Sequence, residues 1–270
     1  FVEKLLEEYL GGDDPVIIKE NNVVHLGIDE YPTTFKSYMS AYANRMIKHV
    51  NSDKCNNRTG RFWSGLAATG CMGGTVFEEG LDAQVNYWYD AYSGHDETIA
   101  SGFPVINNLS AFLYIVPGSG DLLEGYEDVF SKDAVKKIYN EFQVNKYSLW
   151  NQSAILLPAD DPNMLGASFA IWNDWGPAWI GLTHHDVIDR FQEPVALFAE
   201  KNWCGADSGN GGTISFENYY SRYEKLVSRA GNADPFNNKA VEKGDIKVDF
   251  DESFPVEYSE SSVKDGKYVL

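Results

Sequence analysis

The chain has 270 residues, 43% of them hydrophobic and 14% aromatic, enough for the core of one large domain or two small ones. Its 22 Lys and Arg against 40 Asp and Glu give a net charge of −18, which argues against nucleic acid or an anionic membrane as partner. No apolar run approaches the roughly 18 residues that a membrane span needs, and no secretory leader is visible.

The first stretch, Phe1 to Leu10, reads as a helix. The chain has no initiator Met and starts inside that helix, so it is expected to be a piece of a longer protein. Val23-Val24-His25-Leu26-Gly27-Ile28 follows as a buried strand, because it is β-branched and bounded by Glu20-Asn21-Asn22 and Tyr31-Pro32. It delivers two adjacent carboxylates, Asp29 and Glu30. A helix is expected over 33–51, with Phe35, Tyr38, Met39, Tyr42, Met46 and Val50 recurring at helical spacing. Strands are expected at 60–66 and 83–89, a short helix near 96–101, and a strand at 103–107. Phe112-Leu113-Tyr114-Ile115-Val116 reads as extended and stops at Pro117-Gly118. A helix near 131–140 leads to a long loop, 144–163, and then to a buried strand, Gly166 to Trp172. Helices close the series at 183–202, with Thr183 as N-cap and Asp186 as its capping acid, and at 215–230.

Strands alternating with helices imply an α/β protein with parallel strands in a βα series. About five such strands are present. A closed eight-stranded (β/α)8 TIM barrel needs about 250 residues. The expected architecture is therefore the C-terminal part of such a barrel, roughly strands four to eight, over 1–235. The tail, 236–270, alternates through Ile246, Val248 and Phe250 and is expected to be a linker and the start of a β-rich domain.

Two carboxylates held close together do not both ionise easily, so one pKa rises, which suits a general acid. The strand context singles out Asp29 and Glu30 for that reason. Trp63, Trp88 and Trp172 each sit near the end of an expected strand, where the active-site face of a barrel lies. With 7 Trp and 16 Tyr, the chain is well supplied with flat apolar faces that carry a polar handle, suited to sugar rings. Tyr114 needs a partner for its hydroxyl if buried. Asp174 follows the last strand and is placed to accept hydrogen bonds from hydroxyls. Asn107 and Asn108 end another strand and can bond either ligand or backbone. His25, His184 and His185 lack metal-ligand spacing, and Cys55, Cys71 and Cys204 form neither a zinc motif nor a disulfide framework, so no metal is expected. No GxSxG elbow, P-loop or GxGxxG is present.

His25-x-Gly27-x-Asp29-Glu30 resembles the HxGxDE signature of glycoside hydrolase family 20, the β-N-acetylhexosaminidases. The likeness continues through Phe112 to Pro117, Ile171-Trp172-Asn173-Asp174, Asp189-Arg190 and Phe198-Ala199-Glu200-Lys201-Asn202-Trp203. It is closest to the bacterial cell-surface branch that includes lacto-N-biosidases. The resemblance implies a (β/α)8 barrel and retaining hydrolysis of β-linked N-acetylhexosamine through an oxazolinium intermediate. Asp29, Glu30 and Tyr114 would be catalytic. His25, Trp63, Trp88, Asn107, Trp172 and Asp174 would bind substrate. It implies an oligosaccharide or glycoconjugate as partner, no cofactor, and a secreted or surface-anchored location.

Many members carry Trp-x-Glu where this chain has Trp172-Asn173-Asp174. The shorter Asp leaves room for a disaccharide such as Galβ1-3GlcNAc. The upstream strands usually supply an Arg for the sugar hydroxyls, and no residue here is assigned to that task.

Overall fold

The computed structural model describes residues 1–20, 22–29, 33–64, 77–89, 101–115, 132–147, 156–172, 184–204, 214–230, 263–264 and 267–268. Up to Asn107, the described residues carry four strands and two longer helices. Helix α1 (Val2–Leu10) precedes strand β1 (Val23–His25). A 3-10 turn, Thr33–Phe35, leads into α2 (Lys36–Val50). Strands β2 (Thr59–Trp63), β3 (Ala83–Tyr87) and β4 (Val105–Asn107) follow. Then come α3 (Ser110–Leu113), β5 (Tyr114–Ile115), α4 (Lys132–Glu141), β6 (Met164–Ala167) and β7 (Ala170–Ile171). Two helices, α5 (His184–Cys204) and α6 (Phe216–Ala230), follow them.

Five strands form one sheet in the order β1-β2-β3-β4-β6, every neighbouring pair parallel. β5 and β7 form a second parallel pair. The order follows the sequence without reversal, so the large sheet has no switch point of the doubly wound kind. In register, His25 stands opposite Arg61, and Trp63 opposite Asn86.

Strand alternation divides the sheet into two faces. On one, Phe62, Ala83 and Val85 pack with Met39, Ala43 and Ile47 of α2. The buried stripe of α2 runs Met39, Ala43, Met46, Ile47, Val50, with Tyr42 packed against it, so four of the six expected positions face the core, while Tyr38 and Phe35, which precedes the helix, are exposed. α1 is clamped beside it. Leu10 packs with Val50 and Cys55, and the Gly11 amide caps the helix on the Glu7 carbonyl. A Cβ at Gly11 would sit 2.2 Å from the Lys54 carbonyl oxygen, so only glycine lets the two backbones meet. A second core gathers Tyr87, Val105, Phe112, Ile138, Leu197 and Tyr219 around α4, α5 and α6.

Two expected strands differ. Phe112 and Leu113 are helical, because Asn107 Oδ1 accepts the Leu109 N–H at 3.1 Å and the Leu109 carbonyl then takes the Phe112 and Leu113 amides. That Asx turn starts a helical turn before extension resumes at Tyr114. The run 166–172 is two strands. Its first part pairs with β4 across a register shift, with Gly166 at φ 112°, and its second part pairs with β5. The remaining expected helices, 1–10, 131–140, 183–202 and 215–230, match α1, α4, α5 and α6 to within a few residues. Thr183 and most of 96–101 lie outside the described residues. Of the tail, two short strands, Val263–Lys264 and Lys267–Tyr268, pair antiparallel.

Candidate active site

The ladder between β1 and β2 continues past His25, with Trp63 N–H donating to the Gly27 carbonyl at 3.0 Å. There the backbone turns left-handed at two successive residues, Gly27 (φ 71°) and Ile28 (φ 62°). Gly27 takes this without cost. Ile28 is β-branched and does not, at about 1–3 kcal/mol. Its side chain is buried in the α2 cluster, and that packing holds the strained turn. The turn sets Asp29 at the strand's end, half-buried, with Oδ1 3.9 Å from where a Gly27 Cβ would stand. A Cβ at Gly27 would only touch the carboxylate at ordinary contact distance, so it is the left-handed φ that favours glycine there.

His25 precedes the turn and is fixed by it. Its Nδ1 accepts the Gly27 N–H at 3.0 Å, which places the ring proton on Nε2. Burial of the ring and then the Arg61 charge hold the imidazole down at about 4, so it is neutral at physiological pH.

A continuous set of rings starts at His25. Its centroid lies 4.9 Å from Trp63, and Trp63 meets Trp172 edge-on at 6.2 Å. Trp172 lies 5.8 Å from Tyr114, which stacks on Trp88 at 5.9 Å and 7°. Trp88 in turn stacks on Tyr89 at 5.4 Å. Five of the expected residues thus meet, His25, Trp63, Trp88 and Trp172 at the C-terminal ends of β1, β2, β3 and β7 and Tyr114 at the start of β5. The Trp172 indole Nε1 is buried with no hydrogen-bond partner among the described residues.

Glu30 and Asp174 lie outside the described residues. Asn107 corrects an expectation. It is fully buried, its Nδ2 donates to the Val144 and Lys146 carbonyls, and its Oδ1 accepts from Leu109. Every polar atom of that side chain is spent on the backbone, so it organises loops and has nothing left for substrate.

Beneath the rings runs a polar layer of which the sequence singles out Asn108 and leaves Arg61, Gln84 and Asn86 unmarked. Arg61 Nε donates to Gln84 Oε1 at 3.1 Å, and among the described residues Arg61 makes no ion pair. Asn86 Nδ2 donates to Asn108 Oδ1, and Asn108 Nδ2 donates to the Ser168 carbonyl at 2.7 Å. The signal was present as alternation, Arg61-x-Trp63 and Gln84-x-Asn86-x-Trp88, in strands otherwise apolar enough to be buried.

Among the described residues no group of three His, Cys, Asp or Glu side chains could hold a metal, and no helix is long and apolar enough to cross a membrane. A groove of about 480 Å³ lies on the helix-covered side, where its charges already pair, Arg45 with Glu3 and Lys48 with Glu78.

No family model matches the chain, and no curated protein matches it. Among solved structures it is similar to the tandem GH20 catalytic modules of the pneumococcal exo-beta-D-N-acetylglucosaminidase StrH, at 15% identity and a TM-score of 0.49, over 86% of this chain and 52% of that one. A second structure, from work on inhibition of StrH and N-glycan recognition and hydrolysis, matches at 14% identity and a TM-score of 0.49, over 86% and 51%. The chain spans about half the length of the structures it matches.

Proposed function

We propose that this chain carries the catalytic face of a retaining glycoside hydrolase that removes β-linked N-acetylhexosamine by substrate-assisted catalysis. The observation that carries the reading is the convergence of His25, Trp63, Trp172, Tyr114 and Trp88 into one set of rings at the strand ends where Asp29 emerges. The HxGxDE motif supplies the chemistry that such a wall would serve.

In this scheme the substrate's acetamido oxygen attacks the anomeric carbon as the glycosidic C–O bond breaks. The leaving oxygen takes a proton from Glu30. Water then attacks the anomeric carbon, the oxazolinium C–O bond opens, and the Glu30 carboxylate takes the water's proton. Asp29 orients the acetamido N–H and stabilises the positive charge that grows on it. Tyr114 donates to the acetamido oxygen. The indoles bury the acetamido methyl, worth about 0.8 kcal/mol per CH₂, and keep bulk water from the intermediate. No second protein carboxylate acts as nucleophile, the exception to the usual pair. Because the nucleophile is already attached to the substrate, the step gains the effective molarity of an intramolecular reaction, about 10⁵–10⁸ M for well-oriented groups.

The unreversed order of parallel strands supports a ring, the (β/α)8 barrel, over 1–235. So does the exposed row Val2, Leu5 and Tyr9 on α1, near edge strand β1. Such a row fits the flank of a further βα unit. Residues 236–270 would then lead into a separate β-rich domain. Glycans of this kind lie outside cells, so secretion or surface anchoring follows from the substrate.

Aryl 2-acetamido-2-deoxy-β-glycosides test the reading against aryl β-glucosides. Turnover only of the acetamido sugar is expected, and equal turnover of both would overturn the assisted mechanism. Glu30→Gln separates enzyme from binder, since a pure carbohydrate-binding protein would keep its whole function. The Trp172-Asn173-Asp174 sequence favours a second reading, release of Galβ1-3GlcNAc, and release of GlcNAc alone would dismiss it.

A further inference from the structure

The polar layer beneath the rings has a direction. The Ser168 carbonyl can only accept, so the Asn108 group facing it is the amide Nδ2, at 2.7 Å. That leaves Asn108 Oδ1 as an acceptor, and the Asn86 group facing it must be Nδ2. One backbone carbonyl thus fixes the orientation of both amides, and the ladder ends on Asn86 Oδ1. That oxygen is buried and accepts no hydrogen bond, although Asn86 is only 5% exposed. An unmet acceptor at such depth is unfavourable, because the group has lost water and gained no donor. Flipping the amide does not relieve it, because the flip would set oxygen against oxygen at Asn108.

Its place on the sheet says what could meet the need. Asn86 stands opposite Trp63 in register and two residues before Trp88, so its side chain shares the face on which both indoles lie. Trp172, whose ring contacts Trp63, carries the reverse deficiency, a buried indole N–H with no acceptor among the described residues. One face therefore offers an unmet acceptor and an unmet donor within the same ring set.

We propose that Asn86 is a ligand-positioning residue, whose Oδ1 accepts a hydrogen bond from a hydroxyl or amide N–H of the sugar bound against Trp63 and Trp88. This rests on the carbohydrate reading of the site. Asn86 takes no part in proton transfer. It selects for a ligand that brings a donor to that depth, and it rejects one that does not by leaving the oxygen unpaired.

The test is a cycle between protein and ligand in the full-length protein. Wild type and Asn86→Leu are titrated with a 2-acetamido-2-deoxy sugar. Each is also titrated with analogues that lack one donor at a time, N-methylated at the acetamido nitrogen or deoxygenated at a single ring hydroxyl. One analogue is expected to bind wild type about 10-fold more weakly than the parent sugar and to show no such loss with Asn86→Leu. Equal losses in both proteins for every analogue overturn the proposal, since a merely structural Asn86 gives no donor-specific difference. Should Asn86→Leu fail to fold, a crystal structure of the wild-type complex decides. A ligand oxygen or nitrogen within about 3.2 Å of Asn86 Oδ1 supports the proposal, and an ordered water alone in that place overturns it. If the parent sugar does not bind wild type, the glycosidase reading falls and this one with it. Binding with a flat cycle removes the role of Asn86 alone.

Discussion

On the helix-covered face of the sheet, Phe62, Ala83 and Val85 pack against Met39, Ala43 and Ile47. On the opposite face of the same strands stand Arg61, Trp63, Gln84, Asn86 and Trp88, joined by side-chain hydrogen bonds and ring contacts. The residues alternate along single strands, so the backbone is shared, while Phe62, Ala83 and Val85 are buried and Arg61, Trp63, Gln84 and Trp88 only half-buried. Burying a large apolar side chain contributes about 1.5–3 kcal/mol, whereas a net hydrogen bond contributes about 0.5–1.5 kcal/mol. Folding alone would have been served as well or better by apolar residues on both faces. The polar and aromatic face is therefore kept for what it presents at the strand ends, and the two faces should respond differently to substitution.

The largest effect is expected on the apolar face. Phe62 is fully buried between α2 and the sheet, and Phe62→Ala should destabilise by about 3–5 kcal/mol. Activity per folded molecule should stay close to wild type. Denaturant melts paired with active-site titration separate the two, and a loss of kcat without a loss of stability would break the contrast. Asp29→Asn is the counterpart. It should lower kcat about 10²–10³-fold, as expected when one preorganised charge-stabilising group is lost, with an unfolding midpoint near wild type. A destabilisation as large as that of Phe62→Ala would mean that Asp29 belongs to the scaffold.

Tyr114→Phe is smaller. The phenyl ring keeps the stack on Trp88 and the contact with Trp172, and only the hydroxyl is lost. One hydrogen bond to the acetamido oxygen is worth about tenfold in kcat/KM. An unchanged kcat/KM on the acetamido sugar would remove Tyr114 from the mechanism and leave it as a wall.

What could be read from sequence divides along the same line. The helices are legible because hydrophobic periodicity reports burial against a core, and Met39, Met46 and Val50 do face it. The run 23–28, expected as one buried strand, is strand only over Val23–His25, half-buried to exposed, before the left-handed turn at Gly27 and Ile28. Within 112–116 extension starts at Tyr114 rather than Phe112, because an apolar run does not reveal that Asn107, five residues before it, nucleates a helical turn. Nor does the sequence tell what the same side chain binds, since a strand-terminal Asn reads alike whether it meets a sugar or a loop carbonyl. The break within 166–172 depends on pairing with β4 and then β5, a tertiary choice with no local mark beyond Gly166. The rings were found singly, as strand-end Trp and Tyr. Their order from His25 to Tyr89 required the sheet register that sets them side by side.

The smallest effect concerns His25, the one imidazole in that set. Its folded pKa, about 4, lies below the ordinary value of 6.5, because burial and the Arg61 charge disfavour the imidazolium. The unfolded chain therefore binds more protons between those two values. The His25 contribution to stability is fully present above pH 6.5 and is lost as pH falls toward 4. The ring is partly open to solvent, so screening keeps the change small. An NMR titration of its ring proton should show a midpoint near 4 and no transition between pH 5 and 8. The acidic and basic limbs of the pH–rate profile would then belong to other groups, and His25→Gln should leave their positions in place. A midpoint near 6.5 would place a switchable charge beside Arg61 and Trp63, and would make the polar face pH-responsive where its geometry says it is fixed.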